Sequence, residues 1–384
     1  MIYLDYAATT PIDKRVLSVI TRHLEDTFGN PSSVHFLGQQ AERILEESRR
    51  MIAGHMGADP KEIVFTSCGS ESDNLALRGC AIARRENSGC NTILISPIEH
   101  PAVSQTAQQL KELFDFNLET LPVEKNGRVQ LQELESRLGP DTVLVSVMAA
   151  NNEIGTLNPI REIGALCRAH QIPFHTDAVQ YGAHFPLDLT QLPVDLLSLG
   201  AHKFYGPKGV GLLYVRQGTP LTPVQTGGSQ EYGFRAATEN VPLIAGMAKG
   251  FQLIQEEATQ RAARLRPMRE MIIQEVLTKI PGSRLTGAEG DDRLPNHASF
   301  VFQDLNGNTL IQVLDSAGFA CSSGSACKTG DPKPSSVLSH LGYSPEWALG
   351  SLRITLGKDT AQAEVDRFLQ VLPGCVERVR KVAS

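Results

Sequence analysis

No stretch of this 384-residue chain approaches eighteen consecutive apolar residues, the run a membrane-crossing helix needs. The N-terminus, MIYLDYAATTP, has no basic leader and no long apolar segment, so no secretory signal is expected and the chain reads as cytoplasmic. Acidic and basic residues are interspersed, with a net charge of -6 and no basic stripe, which argues against nucleic acid as a partner. The seven cysteines (Cys68, Cys80, Cys90, Cys167, Cys321, Cys327, Cys375) are odd in number and unpatterned, which fits reduced thiols rather than a disulfide frame. There is no CxxC pair, no HExxH pair, no internal repeat and no low-complexity tract. What remains, 41% hydrophobic and 20% charged residues, describes a globular protein long enough for one large and one smaller domain.

From about residue 15 to 215, the apolar runs EIVFTS, NTILIS, FNLETLPV, TVLVSVMAA, PFHTDAV, DLLSLGA and VGLLYVR alternate with helix-period segments. Such alternation predicts a largely parallel sheet with helices on both faces. Only GAHKFYGPKG separates the last two runs, too little for a helical crossover, so that pair is expected to be antiparallel. A long helix is expected over roughly 241–280, leading out of the large domain. Beyond it ASFVFQ, the FACSSGSAC region and SLRITLG alternate with helical patterns, as in a small α/β domain.

The 27 residues from Asp177 to Lys203 carry the chemistry. Two apolar runs end there in Asp177 and Gln180, and in His202 and Lys203, at the strand ends where open α/β sheets bind ligands. A lysine in an apolar surround is a candidate for Schiff-base chemistry, and a carboxylate on the next strand suits a cationic nitrogen. Together they point to pyridoxal phosphate (PLP). TSCGSESDN, after EIVFTS, reads as a helix start with Ser70 and Asp73 as a capping box. It serves equally as a plain cap or as an anion site. His100 follows NTILIS and could stack on a planar cofactor, move protons, or simply occupy a loop. Asn152 ends a further strand with an amide suited to a carboxylate or a phenolic oxygen, or to a turn. Cys167, His170, His175 and Asp177 have a metal-like spacing, but a helix and a strand would have to share one tetrahedral shell. The glycines of GPKGVG shape the turn after Lys203. Cys327 stands among small residues ahead of Gly, Asp and Pro, either an accessible nucleophile or an incidental thiol, while Cys321 beside Phe319 reads as buried.

In order and spacing, YLDYAATTP, FGNPSSVHFLGQQA, EIVFTSCGSESDN, IEHPAV, VSVMAANNEIGT, HTDAVQ, AHKFYGPKGVG, GGSQEYGFRAATEN, CSSGSAC and SLRITLG resemble the cysteine desulfurases of the nitrogen-fixation and iron–sulfur-cluster type. These are PLP enzymes that remove sulfur from L-cysteine, and the resemblance spans essentially the whole chain. It implies a fold type I PLP-dependent transferase of α/β class. The large domain, 15–259, would hold a mostly parallel seven-stranded sheet, and the small one, 1–14 with 260–384, the catalytic cysteine. SSGSAC followed by an extended segment marks the long-loop class.

The resemblance also assigns roles. Lys203 would hold the cofactor aldehyde and deliver protons, Asp177 would pair with the pyridine N–H, Gln180 would bond its phenolic oxygen, and His100 would stack on the ring. Gly69, Ser70, His202 and Thr238 of a neighbouring subunit would hold the phosphate, with Asn152 and Gly200 completing the cofactor contacts. Asn152 and Arg353 would bind the substrate carboxylate. Cys327 would attack the substrate sulfur, leaving alanine and a persulfide that passes to an acceptor protein such as an iron–sulfur scaffold, in a homodimer. Gly200 stands where serine is usual, Ser70 where threonine is common, and Ser229, Tyr232 and Ala237 replace glycine, arginine and glycine. A selenocysteine lyase, another PLP lyase or an aminotransferase of the same fold is the alternative. A third reading is a scaffold subunit that has lost catalysis.

Overall fold

The computed structural model describes residues 1–324 and 334–383, so Cys327 lies outside the described residues. The seven apolar runs form strands β2 (Ile63–Thr66), β3 (Thr92–Ile95), β4 (Asn117–Thr120), β5 (Thr142–Ser146), β6 (Phe174–Asp177), β7 (Leu196–Gly200) and β8 (Gly211–Val215), after a short β1 (Ile2–Tyr3). They make one sheet in the order β2-β8-β7-β6-β5-β3-β4. β4, β3, β5, β6 and β7 run parallel, while β8 is antiparallel to both β7 and β2, as the short connection requires.

Successive strand residues feed opposite faces of the sheet. Phe65, Leu94, Val145, Leu197 and Leu212 pack with the helices Phe36–Met56, Leu131–Arg137, Ile160–Ala169 and the first half of Val241–Lys279. Val64, Ile93, Leu144, Leu196 and Leu213 pack with Cys80–Ser88 and Pro101–Phe114. Burial on both faces is why these strands read as unbroken apolar runs. The edge strand β4, with three of its four residues exposed, is the exception.

The helix Val241–Lys279 belongs to two cores. Its Val241–Ala258 part packs on the sheet; Leu265, Met268, Ile272 and Val276 pack with Leu4, Phe300, Phe302, Ile354 and Phe368. The second core surrounds an antiparallel sheet β12-β10-β9 (Ser351–Thr355, His297–Phe302, Ser283–Leu285), and β1 pairs in parallel with β11 (Phe319–Ala320). The chain's first residues thus pack with its last third. β6 and β7 are joined not by a full helix but through the single turn Tyr181–Ala183, leaving that side of the site open to other segments.

One buried ion pair bolts a surface segment onto this frame. Arg49, 2% exposed, grips both carboxylate oxygens of Glu231, 4% exposed, at 2.8 and 2.9 Å. Glu231 also accepts the Phe65 amide at 2.8 Å, and Arg49 donates to the Ile63 carbonyl at 2.6 Å. The clamp holds Glu231 and Tyr232 at φ 47° and 58°, in the left-handed region. Removing one partner strands the other charge in the interior. Glu231→Ala should therefore cost about 3–5 kcal/mol in a denaturant titration; a midpoint equal to wild type would show that Arg49 regains water.

Candidate active site

Asp177 is the last residue of β6, and Lys203 closes the turn Ala201–Lys203 that follows β7. The parallel register sets Asp177 beside Ser198, so both ionisable groups emerge at one sheet edge. A cavity of about 250 Å³ opens there, lined by Gly69, Ser70, His100, Asn152, Asp177, Gln180, His202, Lys203 and Arg353. Gly200 lies just behind it, where an added Cβ would stand 3.5 Å from the Gly69 nitrogen. Thr238 is exposed and lines a different cavity, beside Glu231 and Arg235, and the neighbouring Ala237 is held at φ 102°.

Lys203 is held by backbone alone: its Nζ donates to the Ala7 and Ala8 carbonyls, 2.7 Å each. Burial lowers its pKa to about 8, with Arg353 adding to the effect against Asp177 and Asp5. Asp177 accepts the Val179 amide at 2.9 Å; burial raises its pKa, and His100, that amide and Lys203 oppose the rise. His100 caps the helix Pro101–Phe114 by accepting the Ala102 amide on Nδ1 at 3.1 Å, so its neutral ring carries the proton on Nε2. Burial keeps that ring below its usual pKa. His202 lies 3.1 Å from the Thr9 hydroxyl, and burial with Lys203 and Lys208 brings it down to about 4, leaving it neutral. Gln180 donates to the Ala7 carbonyl at 2.9 Å.

Arg353 is more engaged than a free fork. Nη2 donates to Asp5 at 2.7 Å and Nη1 to the Asn152 carbonyl at 3.0 Å, leaving Nε buried without a partner. Asn152 lies in a turn six residues past the end of β5, not at the strand's end, and its backbone oxygen also accepts from His297 Nε2 at 3.2 Å.

The expected capping box does not form. The helix begins at Gly69, with Cys68, two residues before Ser70, in the cap position and no side-chain cap. Glu71 instead takes the Ser67 amide at 2.7 Å and is braced by Arg235 at 2.8 Å. Asp73, 1% exposed, turns inward to line the cavity, with Oδ1 buried and unpartnered. Gly69 and Ser70 remain at the first turn, where helix N–H groups have no acceptor within the helix. No metal cluster occurs among the described residues; His175 is fully buried between the Ser146 and Ser198 hydroxyls, at 2.8 and 3.0 Å, and neutral, its pKa brought down to about 3 by burial. Cys321 is buried, and burial pushes its thiol pKa far up, so it is inert at neutral pH.

Sequence reasoning missed several polar residues of the site. Asp5 reaches Arg353 from the opposite end of the chain. Glu99, 6% exposed, is pushed up to about 8 by burial and accepts the Ser96 hydroxyl and the Met148 amide. Asp73 is pushed far up by burial and by Asp177. A buried acid could be suspected wherever a carboxylate interrupts an apolar run; Asp5 offered no such signal.

The donor set fits PLP. A releasable buried amine faces a carboxylate across one cavity, and a helix start suited to phosphate lies on its wall. The model of the class-V aminotransferase family matches residues 2–368. A cysteine desulfurase IscS of Dictyoglomus turgidum is 43% identical over 382 residues, covering all of this chain and 96% of that protein. Among solved structures, a NifS-like protein superposes with a TM-score of 0.90 at 36% identity, covering 98% of this chain and 99% of that one. A structure described as SspA in complex with cysteine superposes with a TM-score of 0.80 at 34% identity, covering 94% and 100%.

Burial makes Lys203 nucleophilic at lower pH than surface lysines, since the neutral amine dominates above its lowered pKa. In cofactor-free protein, reductive labelling of Lys203 by a small aldehyde should rise with pH to half its maximum near pH 8, with exposed lysines following at about 10.4. Peptide mapping checks this; co-titration of Lys203 with the surface lysines would contradict the burial argument.

Proposed function

The chain belongs to the class-V aminotransferases and, within them, to the cysteine desulfurases, and from that premise we propose how its residues divide the work. The reaction takes L-cysteine to L-alanine and leaves the sulfur as a persulfide on the enzyme. The family's cofactor is PLP, which when bound supplies an electron sink for charge developing on the substrate carbons.

Lys203 would hold the cofactor aldehyde and move a proton at Nζ, a task suited to an amine whose pKa lies near 8. Asp177 would pair with the ring N–H, and His100, whose neutral ring carries its proton on Nε2, would stack on the ring. Gln180, which holds the Ala7 carbonyl, would bond the phenolic oxygen. Gly69, Ser70, His202 and Gly200 would hold the phosphate, with Thr238 supplied by a second copy of the chain. Arg353 and Asn152 would receive the substrate carboxylate, Arg353 by giving up the Nη contacts it now makes with Asp5 and the Asn152 carbonyl.

Cys327 attacks the substrate sulfur. The new S–S bond replaces the substrate C–S bond, and the electron pair released to carbon is protonated, giving alanine. The persulfide then passes to an acceptor of the iron–sulfur scaffold kind. The homodimer and a cytoplasmic setting complete the reading: six free cysteines among the described residues fit a reducing compartment, and no helix is long and apolar enough to cross a membrane. The separate cores support a boundary near residue 259 inside the helix Val241–Lys279.

The observation that carries this reading is the convergence of Lys203, Asp177 and Arg353 on one cavity. Cys327→Ser should keep the visible absorption of the bound cofactor while persulfide on the protein falls to background, read by alkylation and mass spectrometry. Wild-type alanine release from L-cysteine by that variant would sink the assignment.

A further inference from the structure

Residues 325–333 join two described ends, and both ends are tied to the substrate-carboxylate side of the site. At the first, Ser322 exchanges two backbone hydrogen bonds with Arg353, donating at 3.3 Å and accepting at 2.7 Å, while its hydroxyl donates to Asp5 at 2.8 Å. The Gly324 amide donates to the Ser351 hydroxyl at 3.1 Å. At the second, Ser335 is 3% exposed and caps the helix Ser336–His340 through the Leu338 amide at 3.3 Å. Its hydroxyl donates to Glu153 Oε2 at 2.5 Å.

Glu153 occupies the space between these ends. A Cβ added at Gly324 would stand 2.8 Å from Glu153 Oε2 and 3.4 Å from the Ser335 Cβ, so the carboxylate lies close beside both ends and leaves no room for a side chain at Gly324. The backbone that carries the carboxylate is held firmly. Asn151 accepts the amides of Glu153 and Ile154 at 2.8 and 3.0 Å and anchors its own amide on the Ile98 carbonyl at 2.8 Å. The preceding residue, Asn152, gives its carbonyl to Arg353.

We propose that Glu153 is a positioning residue for sulfur transfer, its carboxylate clasping Gly324 and Ser335 so that both ends of the segment bearing Cys327 start from the carboxylate anchors Asn152 and Arg353. The inference rests on the desulfurase reading. Its physical basis is effective concentration: anchoring residues 324 and 335 beside the target raises the local concentration of a group carried between them. Cys327 follows Gly324 by three residues, a tether of at most about 11 Å. Glu153 makes its side-chain hydrogen bond to Ser335, and the Arg353 charge acts on it only at a distance; it acts through the backbone ends. Loss of the clasp should slow the thiol's arrival and leave substrate binding intact.

Single-turnover persulfide formation on Cys327, with cysteine KM and the cofactor's visible absorption, tests this. Glu153→Ala should slow persulfide formation about tenfold, a fraction of what misplacement of a reacting group can cost, with KM within about twofold and absorption unchanged. Glu153→Gln, which keeps an acceptor for Ser335, should recover to within about threefold. On a Ser335→Ala background, which also loses the helix cap, Glu153→Ala should cost nothing further, since the contact it removes is already gone. An unchanged rate in Glu153→Ala, an effect on KM alone, or losses that multiply in the double variant would overturn the proposal. Should Glu153→Ala not fold, Gly324→Ala disturbs the same contact and should show the same loss; a full rate there overturns it as well. A wild type that forms no persulfide on Cys327 brings down the desulfurase reading and this inference with it, whereas a normal wild type beside an unaffected Glu153→Ala removes this inference alone.

Discussion

The ion pair between Asp5 and Arg353 joins residues 348 positions apart, and the geometry of the active site hangs from it. Arg353 sits on the last strand of the small sheet; Asp5 sits in the segment that crosses from that sheet to the large one. Around the pair, the Ala7 amide donates to the Thr355 hydroxyl at 2.9 Å, and Thr10 receives and returns contacts with His202 and Tyr205. Only with the segment so fixed do the Ala7 and Ala8 carbonyls reach Lys203 and Gln180. A pair this enclosed gains little net stability over apolar packing, because desolvation offsets attraction, but losing either member leaves the other charge stranded. Its contribution is to hold one geometry.

Desolvation also decides where negative charge resides in the cavity. Burial raises the pKa of Asp73, Glu99 and Asp177 alike. Asp177 alone has the Lys203 ammonium, together with the His100 ring and the Val179 amide, working against that rise; Asp73 and Glu99 are opposed by nothing stronger than hydroxyl or amide donors. The three acids therefore do not compete for one cation. Asp177 is the acid whose charged form has the most support, and it stands at the end of the strand beside the lysine. Lys203, held by carbonyls rather than by a carboxylate, can give up its proton without breaking an ion pair.

Which parts of this arrangement were readable follows from distance along the chain. The seven strands were readable because burial on both faces leaves an unbroken apolar run, and Asp177 and Lys203 because they end two such runs at the edge where ligands bind. The capping box misled because local pattern fixes which residues can cap but not which face is drawn into the interior: Asp73 is claimed by the cavity, and Glu71 takes the first-turn contact. Asp5 and Glu153 were unreadable because their contacts, with Arg353 and Ser335, span 348 and 182 residues, and no periodicity extends so far. Arg353 was expected as a carboxylate fork, yet its occupied Nη atoms could be seen only in three dimensions.

Two glycines at the phosphate end of the cavity are there for different reasons. A Cβ at Gly69 would stand 2.8 Å from the Val179 side chain, so close approach of the helix start to the loop after β6 requires the glycine. At Gly200 the nearest atoms would be the Gly69 nitrogen at 3.5 Å and the His202 ring at 3.7 Å, ordinary contact distances that admit a side chain. Crowding therefore does not explain the missing hydroxyl at Gly200. With His202 neutral and no hydroxyl at Gly200, an anion there relies on backbone N–H groups, the Ser70 hydroxyl and the His202 N–H rather than on a fixed positive charge. The exposed Thr238 follows Ala237, held in a conformation that favours glycine, on a segment bolted down through Arg49–Glu231 and Arg235–Glu71. A donor fixed that firmly at the surface needs little reordering to meet an anion.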